Sequence, residues 1–198
     1  MWRFTEFTDA QVRQFQTQGP FRHLVLDGFV DEGALPALLE LVDAEPLHTY
    51  AAEIYTFDAS AKVPTTAPFR ALIDDFAANM APALARLTGM PLGRADMRAY
   101  AYGPGHYLLP HTDHQDGQGR LLAYAFYLPS PLPPEGGELE LFACTMGSDG
   151  EPTATRAHSR ILPVQNRCVV FEVGPHSLHQ VREVLAGSRI SLAGWFYA

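Results

Sequence analysis

Lysine and cysteine are nearly absent from this sequence of 198 residues. The two cysteines, Cys144 and Cys168, belong to no CxxC pair, which argues against a disulfide framework. Lys62 is the only lysine, no cluster of basic residues is visible, and the net charge is −8. Because unspecific nucleic-acid binding requires a basic surface, we expect no nucleic-acid partner.

No stretch of the sequence is apolar over the length that a membrane-spanning helix requires. The sequence starts with the polar, acidic segment MWRFTEFTDAQVRQF, which lacks the features of a signal peptide. Hydrophobic residues make up 47% and charged residues 18%, which is an ordinary globular balance. The sequence therefore predicts a cytoplasmic protein without a membrane partner.

Helical periodicity dominates the N-terminal half of the chain. Apolar residues recur at helical spacing over residues 69–87, and Gly89 then supplies a helix stop. Shorter helices are predicted over residues 8–18 and after Asp31, with a strand over residues 21–30 between them. We expect these helices to support a core formed by the rest of the chain.

Three segments have the features of loops, because proline and glycine residues interrupt them: residues 45–67, 129–137 and 145–159. After Gly93, short alternating or apolar segments follow one another between Gly, Pro and Asp turns, which is typical of an all-β sandwich or barrel. We therefore predict one domain over residues 1–198. Residues 1–92 would be a mainly helical support with a substrate-side loop, and residues 93–198 would be the β core.

The segment PHTDHQDGQG, residues 110–119, concentrates histidine and aspartate in a short stretch. Residues i and i+2 of a strand face the same side, so His111 and Asp113 would point together. With a second histidine from a neighbouring strand they would form the two-His-one-carboxylate triad of non-haem Fe(II) oxygenases. The pair alone is a weak indication, since chance gives roughly 0.4 HxD occurrences; a polar hairpin facing water is the alternative.

The C-terminal segment HSLHQVREVLAGSRISLAGWFYA adds a second set of functional residues. Arg189 and Ser191 share one face of a predicted strand. An arginine on the inner face of a small barrel is costly without an anion to pair with it. Since a guanidinium beside a hydroxyl is a good carboxylate receptor, the segment predicts an anion site.

Together these motifs resemble the Fe(II)- and 2-oxoglutarate-dependent dioxygenases of the prolyl-4-hydroxylase-like superfamily, and most closely its ribosomal prolyl hydroxylase branch. The matching residues are Tyr102, HTD at 111–113, FYLP with Tyr127, EGGELELF, and VVFEVGPHSLHQVREV leading to SRISLAGWF. The resemblance extends back through EIYTF to LVLDGFV and corresponds to the catalytic domain only. It implies a mostly β fold with supporting α-helices, built around a double-stranded β-helix (jelly-roll, cupin-like) core.

The resemblance implies that His111, Asp113 and His179 are the metal ligands and the catalytic centre. His179 is preferred to His176 because LHQVREV matches the metal-binding strand of the family, whereas His176 falls in the preceding turn. His114 is interpreted as a loop residue. The remaining histidines are interpreted as surface or hydrogen-bonded polar groups: His23, His48, His106 and His158.

The resemblance also implies a set of cosubstrate-binding residues. Arg189 and Tyr127 would bind the distal carboxylate of 2-oxoglutarate, with Ser191 nearby. Tyr102 would reach the other end of the cosubstrate. Trp195, on the same strand face as Arg189, matches an aromatic position in the substrate pocket of related prolyl hydroxylases.

The function implied by the resemblance is hydroxylation of a substrate C–H bond with release of succinate and CO2. The cofactors would be Fe(II), 2-oxoglutarate and O2, with ascorbate as an accessory. Because related halogenases lack the carboxylate of Asp113, its presence favours hydroxylation. By resemblance the substrate is a prolyl residue in a protein, ribosomal or translation-related.

Three alternatives compete with this interpretation. The first is a hydroxylase of a small molecule, such as a free amino acid or a natural-product precursor; the substrate would then be set by loops 45–67 and 129–160. The second is a non-catalytic, cupin-like metal-binding module. The third is an AlkB-like nucleic-acid demethylase, which would carry a second arginine where this chain has Trp195.

Overall fold

The computed structural model of this protein describes residues 1–115, 117–148, 150 and 152–198. Asp116, in the predicted turn after HTD, and Asp149 and Glu151, in the segment 145–159, lie outside the described residues. The described part of the chain contains no helix that is long and apolar enough to cross a membrane.

The α-helices of the described residues all precede the main run of strands: α1 Asp9–Thr17, α2 Leu35–Asp43 and α3 Ala67–Thr88. The predicted helices are thus confirmed. A capping box at Thr8 starts α1, in which the Thr8 hydroxyl accepts a hydrogen bond from the backbone of Gln11. Gly89 ends α3 with φ 74°, the left-handed conformation that favours glycine.

A buried carboxylate, that of Glu45, fixes the start of α3. Its two oxygens accept hydrogen bonds of 2.5–3.0 Å from the backbone and hydroxyl groups of Thr65 and Thr66. Burial acts to raise the pKa of Glu45, but these hydrogen bonds, above all that from the Thr66 hydroxyl, hold it below its usual 4.5. The segment before α3 is therefore tied to the helix terminus.

Most strands of the described chain join one antiparallel sheet. The strands are β1 His23–Asp27, β2 Leu47–Ala52, β3 Tyr55–Ser60, β4 Arg94–Ala95, β5 Arg98–Tyr102, β6 Tyr107–His111, β7 Arg120–Tyr127, β8 Glu135–Gly136, β9 Leu139–Met146, β10 Pro152–Ile161, β11 Arg167–Glu172, β12 His179–Val181, β13 Val184–Ala186 and β14 Arg189–Tyr197. The strand order is β1-β11-β7-β14-β5-β3-β6-β12-β9-β10, with β2 on β3 and β4 on β14. Strands β8 and β13 pair separately.

The main sheet curls until strands that are distant in its order meet. Phe171 of β11 and His179 of β12 stand at opposite parts of that order, yet their ring centroids are 4.7 Å apart. The curl encloses a cavity lined by residues of β5, β7 and β14 on one side and of β6 and β12 on the other. The predicted mostly β, jelly-roll architecture is therefore confirmed.

The two faces of β7 lie in different surroundings. Tyr124 packs against Phe76 of α3 with ring centroids 4.8 Å apart, within a hydrophobic core between the helices and the sheet. Ala123, Ala125 and Tyr127 belong to a second hydrophobic cluster on the opposite face, and the two alanines line the cavity. One face of this strand therefore packs in the core between the helices and the sheet, and the other face lies on the cavity side.

Asn166 connects this sheet to the chain after β1. It has φ 59°, a left-handed conformation in which asparagine is enriched among non-glycine residues. Its side chain accepts a hydrogen bond from the Val30 amide at 2.9 Å and donates one to the Val30 carbonyl at 3.0 Å. Its own amide donates to the carbonyl of Tyr127, so one residue holds two distant segments together.

The structure corrects the prediction of loops over residues 45–67 and 145–159. An antiparallel hairpin of β2 and β3 occupies the first segment. In the second segment β9 extends to Met146 and β10 begins at Pro152, and these strands pair with each other. Strands β2 and β10 are exposed along most of their length, so no alternation of apolar and polar residues marks them in the sequence.

Candidate metal centre and cavity

Antiparallel pairing of β6 and β12 brings His111 and His179 directly opposite each other. Asp113 follows β6 on the same side, as the spacing of HTD predicts. Its Oδ1 lies 3.7 Å from Nε2 of His111, and its Oδ2 lies 3.6 Å from Nε2 of His179. One ligand atom from each residue lies within 4.8 Å of the others. The structure thus brings together the three residues predicted as a metal-binding triad.

Backbone carbonyls orient both imidazoles. Nδ1 of His111 lies 2.9 Å from the carbonyl oxygen of Leu109, and Nδ1 of His179 lies 2.9 Å from that of Ser177. A proton on Nδ1 is donated to each carbonyl, which leaves the Nε2 lone pair available at the centre of the group. Burial, and next the neighbouring His179, lowers the pKa of His111 to about 4, so its ring is neutral at neutral pH. Two imidazoles and a carboxylate are a donor set that suits a divalent transition metal.

The structure distinguishes His179 from His176. The side chain of His179 is 7% exposed and faces Asp113, whereas that of His176 is 44% exposed and bonds to Glu172 at 3.1 Å. His114 does not belong to the three-residue group.

The four remaining histidines differ in their exposure and hydrogen bonding. His23 is buried and its Nδ1 contacts the Phe21 carbonyl at 2.9 Å, while His48 and His158 are exposed, as predicted. His106 is half-buried, and its buried Nδ1 has no hydrogen-bond partner among the described residues, so its interpretation stays a prediction.

The predicted anion site lies at one end of the cavity. Arg189 is 4% exposed and donates a hydrogen bond from Nη1 to the Ser191 hydroxyl at 3.3 Å. Its guanidinium carbon lies 4.9 Å from the ring centroids of both Tyr102 and Tyr127. The structure therefore gathers all four residues that the sequence predicts for cosubstrate binding.

Two buried polar atoms at this end have no hydrogen-bond partner in the described part of the chain: Nε of Arg189 and the hydroxyl of Tyr127. A buried cation and a buried hydroxyl donor left unpaired are expensive, so their presence points to an anion that binds between them. A carboxylate fits both donors. This end of the cavity thus suits one terminus of 2-oxoglutarate.

Tyr102 is fully buried beside this arginine, directly across from it in the β5–β14 pairing. Burial raises the pKa of Tyr102, and the Arg189 charge opposes this only in part, so the phenol stays protonated. Because Tyr102 lies at the Arg189 end, its predicted contact with the opposite end of the cosubstrate stays a prediction.

The opposite end of the cavity contains Arg120 stacked on Trp195, and the sequence predicted only Trp195 as a site residue. The guanidinium carbon of Arg120 lies 3.6 Å from the ring centroid of Trp195, and its Nη1 donates to the backbone carbonyl of Asp113 at 3.3 Å. Nε of Arg120 and Nε1 of Trp195 are buried without a partner among the described residues. Sequence reasoning missed Arg120, because a charged residue at the start of a strand resembles a surface residue.

An aromatic wall lines the cavity, and of its residues the sequence predicted only Tyr102. Rings from the β2–β3 hairpin and from β5 contact one another with centroids 5.1–6.5 Å apart: Tyr50, Tyr55, Phe57, Tyr100 and Tyr102. The cavity beside them has a volume of about 570 Å³. It is large enough for a cosubstrate together with part of a substrate.

Comparisons with known proteins agree with this geometry. A family model described as the 2OG-Fe(II) oxygenase superfamily matches residues 97–197. The chain is 33% identical over 193 residues to "Prolyl 3-hydroxylase OGFOD1" of Mus musculus, a match that covers 90% of this chain and 33% of that protein. The chain therefore spans about a third of the length of this curated relative.

Two solved structures show the same fold. A Pseudomonas putida prolyl-4-hydroxylase has a TM-score of 0.68 at 22% identity, covering 95% of this chain and 97% of that one. The non-heme alpha ketoglutarate dependent epimerase SnoN from nogalamycin biosynthesis has a TM-score of 0.71 at 15% identity, covering 96% and 80%. At these identities the likeness concerns the fold alone.

The matched region contains the whole His-Asp-His group and the anion site at Arg189. It covers just over half of the chain. Enzymes of this family use Fe(II), 2-oxoglutarate and O2, and the donor atoms at both sites suit these cofactors. This chain therefore belongs to the 2OG-Fe(II) oxygenase superfamily.

Proposed function

We propose that this chain hydroxylates a prolyl residue in a protein substrate and releases succinate and CO2. The observation that carries the proposal is one cavity that holds three divalent-metal donors together with a buried arginine, which has no anionic partner among the described residues. The 33% identity to a prolyl 3-hydroxylase supports the prolyl substrate.

In this proposal His111, Asp113 and His179 hold Fe(II) through two Nε2 atoms and a carboxylate oxygen. Three protein ligands leave further coordination positions open for the cosubstrate and O2. The bound iron and its cosubstrate supply the oxidising chemistry at the substrate C–H bond. The protein contributes fixed imidazole orientations, since each Nδ1–H is held by a backbone carbonyl.

Arg189, Tyr127 and Ser191 bind the distal carboxylate of 2-oxoglutarate in this proposal. The guanidinium supplies the charge, and the Tyr127 hydroxyl supplies a hydrogen bond that it makes to no described protein group. Ser191 holds the guanidinium through its hydroxyl. Because these groups are nearly fully buried, their interaction with a carboxylate is only weakly screened by water.

Trp195 and Arg120 form the substrate side of the cavity in this proposal. The indole offers an apolar face of the kind that a pyrrolidine ring packs against, and the two unpaired N–H groups suit a peptide carbonyl. Arg120 also contacts the backbone of Asp113. A substrate bound here would therefore lie next to the metal ligands.

A hydroxylase of a small molecule is the second candidate, because the epimerase SnoN shares the fold with a TM-score of 0.71. The identity to the prolyl 3-hydroxylase is higher than that to SnoN, and this difference favours a protein substrate. A ribosomal or translation-related substrate, the accessory role of ascorbate, a cytoplasmic location and the single-domain division at residue 92 stay predictions.

The test begins with an anaerobic titration of the purified chain with Fe(II) and then with 2-oxoglutarate, followed by the visible charge-transfer band of the chelate. We expect the band in the wild type and in the control variant His176→Ala, and its loss in Asp113→Ala. Prolyl peptides are then incubated with O2 and analysed by mass spectrometry for one added oxygen atom. A band without hydroxylation of any prolyl peptide, but with hydroxylation of a small molecule, would favour the second candidate.

A further inference from the structure

A second cationic group lies at the cavity, apart from the anion site at Arg189. Arg98, on β5, donates a hydrogen bond from Nε to the carbonyl of Ser60 at 2.7 Å. Its guanidinium carbon lies 4.8 Å from the ring centroid of Tyr50 and 5.3 Å from that of Tyr100. The side chain is thus fixed in place from three sides.

One nitrogen of the Arg98 guanidinium lacks a hydrogen-bond acceptor among the described residues. Nη2 of Arg98 is buried and has no hydrogen-bond partner among the described residues. No carboxylate of the described chain is recorded within 4.0 Å of Arg98. The aromatic faces attract the cation, and the Tyr100 hydroxyl is a hydrogen-bond partner of the guanidinium, but neither supplies an acceptor to Nη2. Since buried polar groups in folded proteins are nearly always paired, this donor indicates an acceptor that comes from outside the chain.

The only lysine of the sequence lies close by along the chain. Lys62 follows two residues after Ser60, the acceptor for Arg98, and it also lines the cavity. Its side chain is exposed and forms no recorded ion pair with the described residues. Both Arg98 and Lys62 line the cavity, in a chain whose net charge is −8, and neither forms an ion pair with the described residues.

This cationic point is separate from the anion site for the cosubstrate. Arg189 pairs with Tyr102 across β14 and β5, whereas Arg98 pairs with Ala193, four residues further along each strand. Four residues of strand span about 13 Å. The backbones of Arg98 and Arg189 are thus well separated, and the two guanidinium groups contact different rings: Tyr50 and Tyr100 for Arg98, Tyr102 and Tyr127 for Arg189.

We propose that Arg98, assisted by Lys62, is a specificity-determining receptor for a carboxylate on the substrate. A guanidinium with a free N–H is well suited to a carboxylate, and the flanking rings keep it in position before the substrate binds. This inference rests on the proposed function, which makes the carboxylate part of a prolyl substrate. It comes either from an acidic residue near the target proline in a peptide or from the free carboxyl group of the proline itself.

The experiment measures equilibrium binding to the full chain loaded anaerobically with Fe(II) and 2-oxoglutarate. The peptide probes are fluorescein-labelled peptides with one central proline and either glutamate or glutamine at each flanking position in turn. The small probes are N-acetyl-L-proline and N-acetyl-L-prolinamide. The variants are Arg98→Gln, Arg98→Lys and the control Arg13→Gln, which makes the same change of charge at an exposed position of α1.

We expect the acidic member of one probe pair to bind roughly 10-fold or more tightly than the neutral member. This preference should disappear in Arg98→Gln, fall only in part in Arg98→Lys, and persist in Arg13→Gln. Preference in the peptide pairs identifies an acidic side chain, and preference in the proline pair identifies the free carboxyl group. The affinity for 2-oxoglutarate, which depends on Arg189, should stay unchanged and shows that Arg98→Gln is folded.

The inference is wrong if neither pair shows a preference for the acid, or if the preference is the same in Arg98→Gln as in the wild type. The two hypotheses fail separately, because binding preference tests the carboxylate receptor and hydroxylation tests the proposed function. Hydroxylation of prolyl peptides without an acidic preference would overturn only the receptor. An Arg98-dependent preference without hydroxylation of any prolyl probe would overturn only the prolyl substrate.

Discussion

The substitution Tyr127→Phe should weaken cosubstrate binding without weakening the fold. Tyr127 is 1% exposed, and its hydroxyl has no hydrogen-bond partner among the described residues. Phenylalanine fills the same volume, so the substitution removes a single polar atom and leaves no cavity. In most buried positions such a change removes a hydrogen bond of the native protein. Under the proposed function, the change at Tyr127 removes a hydrogen bond that forms only with the cosubstrate.

The effects of Tyr127→Phe on protein stability and on cosubstrate affinity should have opposite signs. A buried hydroxyl without a partner costs about 1–3 kcal/mol, so its removal should leave the free energy of unfolding unchanged or raise it. A hydrogen bond from the phenol to a carboxylate contributes about 1.5–3 kcal/mol. Its loss corresponds to a roughly 10- to 150-fold weaker affinity for 2-oxoglutarate.

The assay combines urea unfolding of the free protein with calorimetric titration of 2-oxoglutarate into protein loaded with Mn(II), which prevents turnover. Tyr124→Phe is the matched control, since Tyr124 is equally buried on the same strand but donates to the Asp96 carbonyl at 2.7 Å. We expect the control to lose about 1 kcal/mol of stability and no affinity. If Tyr127→Phe instead loses stability and keeps its affinity, the hydroxyl has a protein partner and the assignment of this end of the cavity is wrong.

Three further predictions concern single residues. His179→Ala should weaken Fe(II) binding by more than roughly 100-fold, whereas His176→Ala should leave it within about twofold; equal losses in an anaerobic Fe(II) titration would contradict the choice of ligand. Asn166→Gly keeps the left-handed backbone but loses both side-chain hydrogen bonds to Val30, so we expect it to lower the free energy of unfolding by about 2 kcal/mol. Asn166→Ala should lower it by about 1 kcal/mol more, because alanine is strained in this conformation. Identical urea midpoints for the two variants would show that φ 59° is not strained. Because hydrogen bonds keep the folded pKa of Glu45 below 4.5, its stabilisation is complete above that pH and is lost as the pH falls through the folded pKa. The unfolding free energy of Glu45→Gln should therefore fall less steeply below pH 4.5 than that of the wild type, and parallel curves would contradict this.

The metal group and the anion site were predictable because both depend on strand periodicity and on the chemistry of a few residues. His111 and Asp113 face together through their i, i+2 spacing, and so do Arg189 and Ser191. The choice of His179 over His176 came from the family resemblance, and the burial of the two rings agrees with it. Alternation alone does not tell which strands become neighbours in a curled sheet.

The sequence did not indicate the residues whose position in the fold differs from what their residue type leads one to expect. Arg98 and Arg120 are charged residues at the beginning of strands, where exposure is the ordinary expectation, yet the curl of the sheet turns both towards the cavity. The β2–β3 hairpin was obscured for a different reason. Nearly all of β2 is exposed, so it lacks the apolar alternation by which strands are recognised.

The two faces of β7, one in the core and one at the cavity, have a consequence for the evolution of this enzyme. The cavity floor contains the small residues Ala123, Ala125 and Ala193, while the core on the other face of these strands is held by aromatic rings such as Tyr124 and Phe126. Enlarging one of these alanines would alter which substrates fit, and it would leave the packing against α3 untouched. The alternation along these strands therefore assigns substrate fit and packing against the helices to different positions, so that selection can act on one without acting directly on the other.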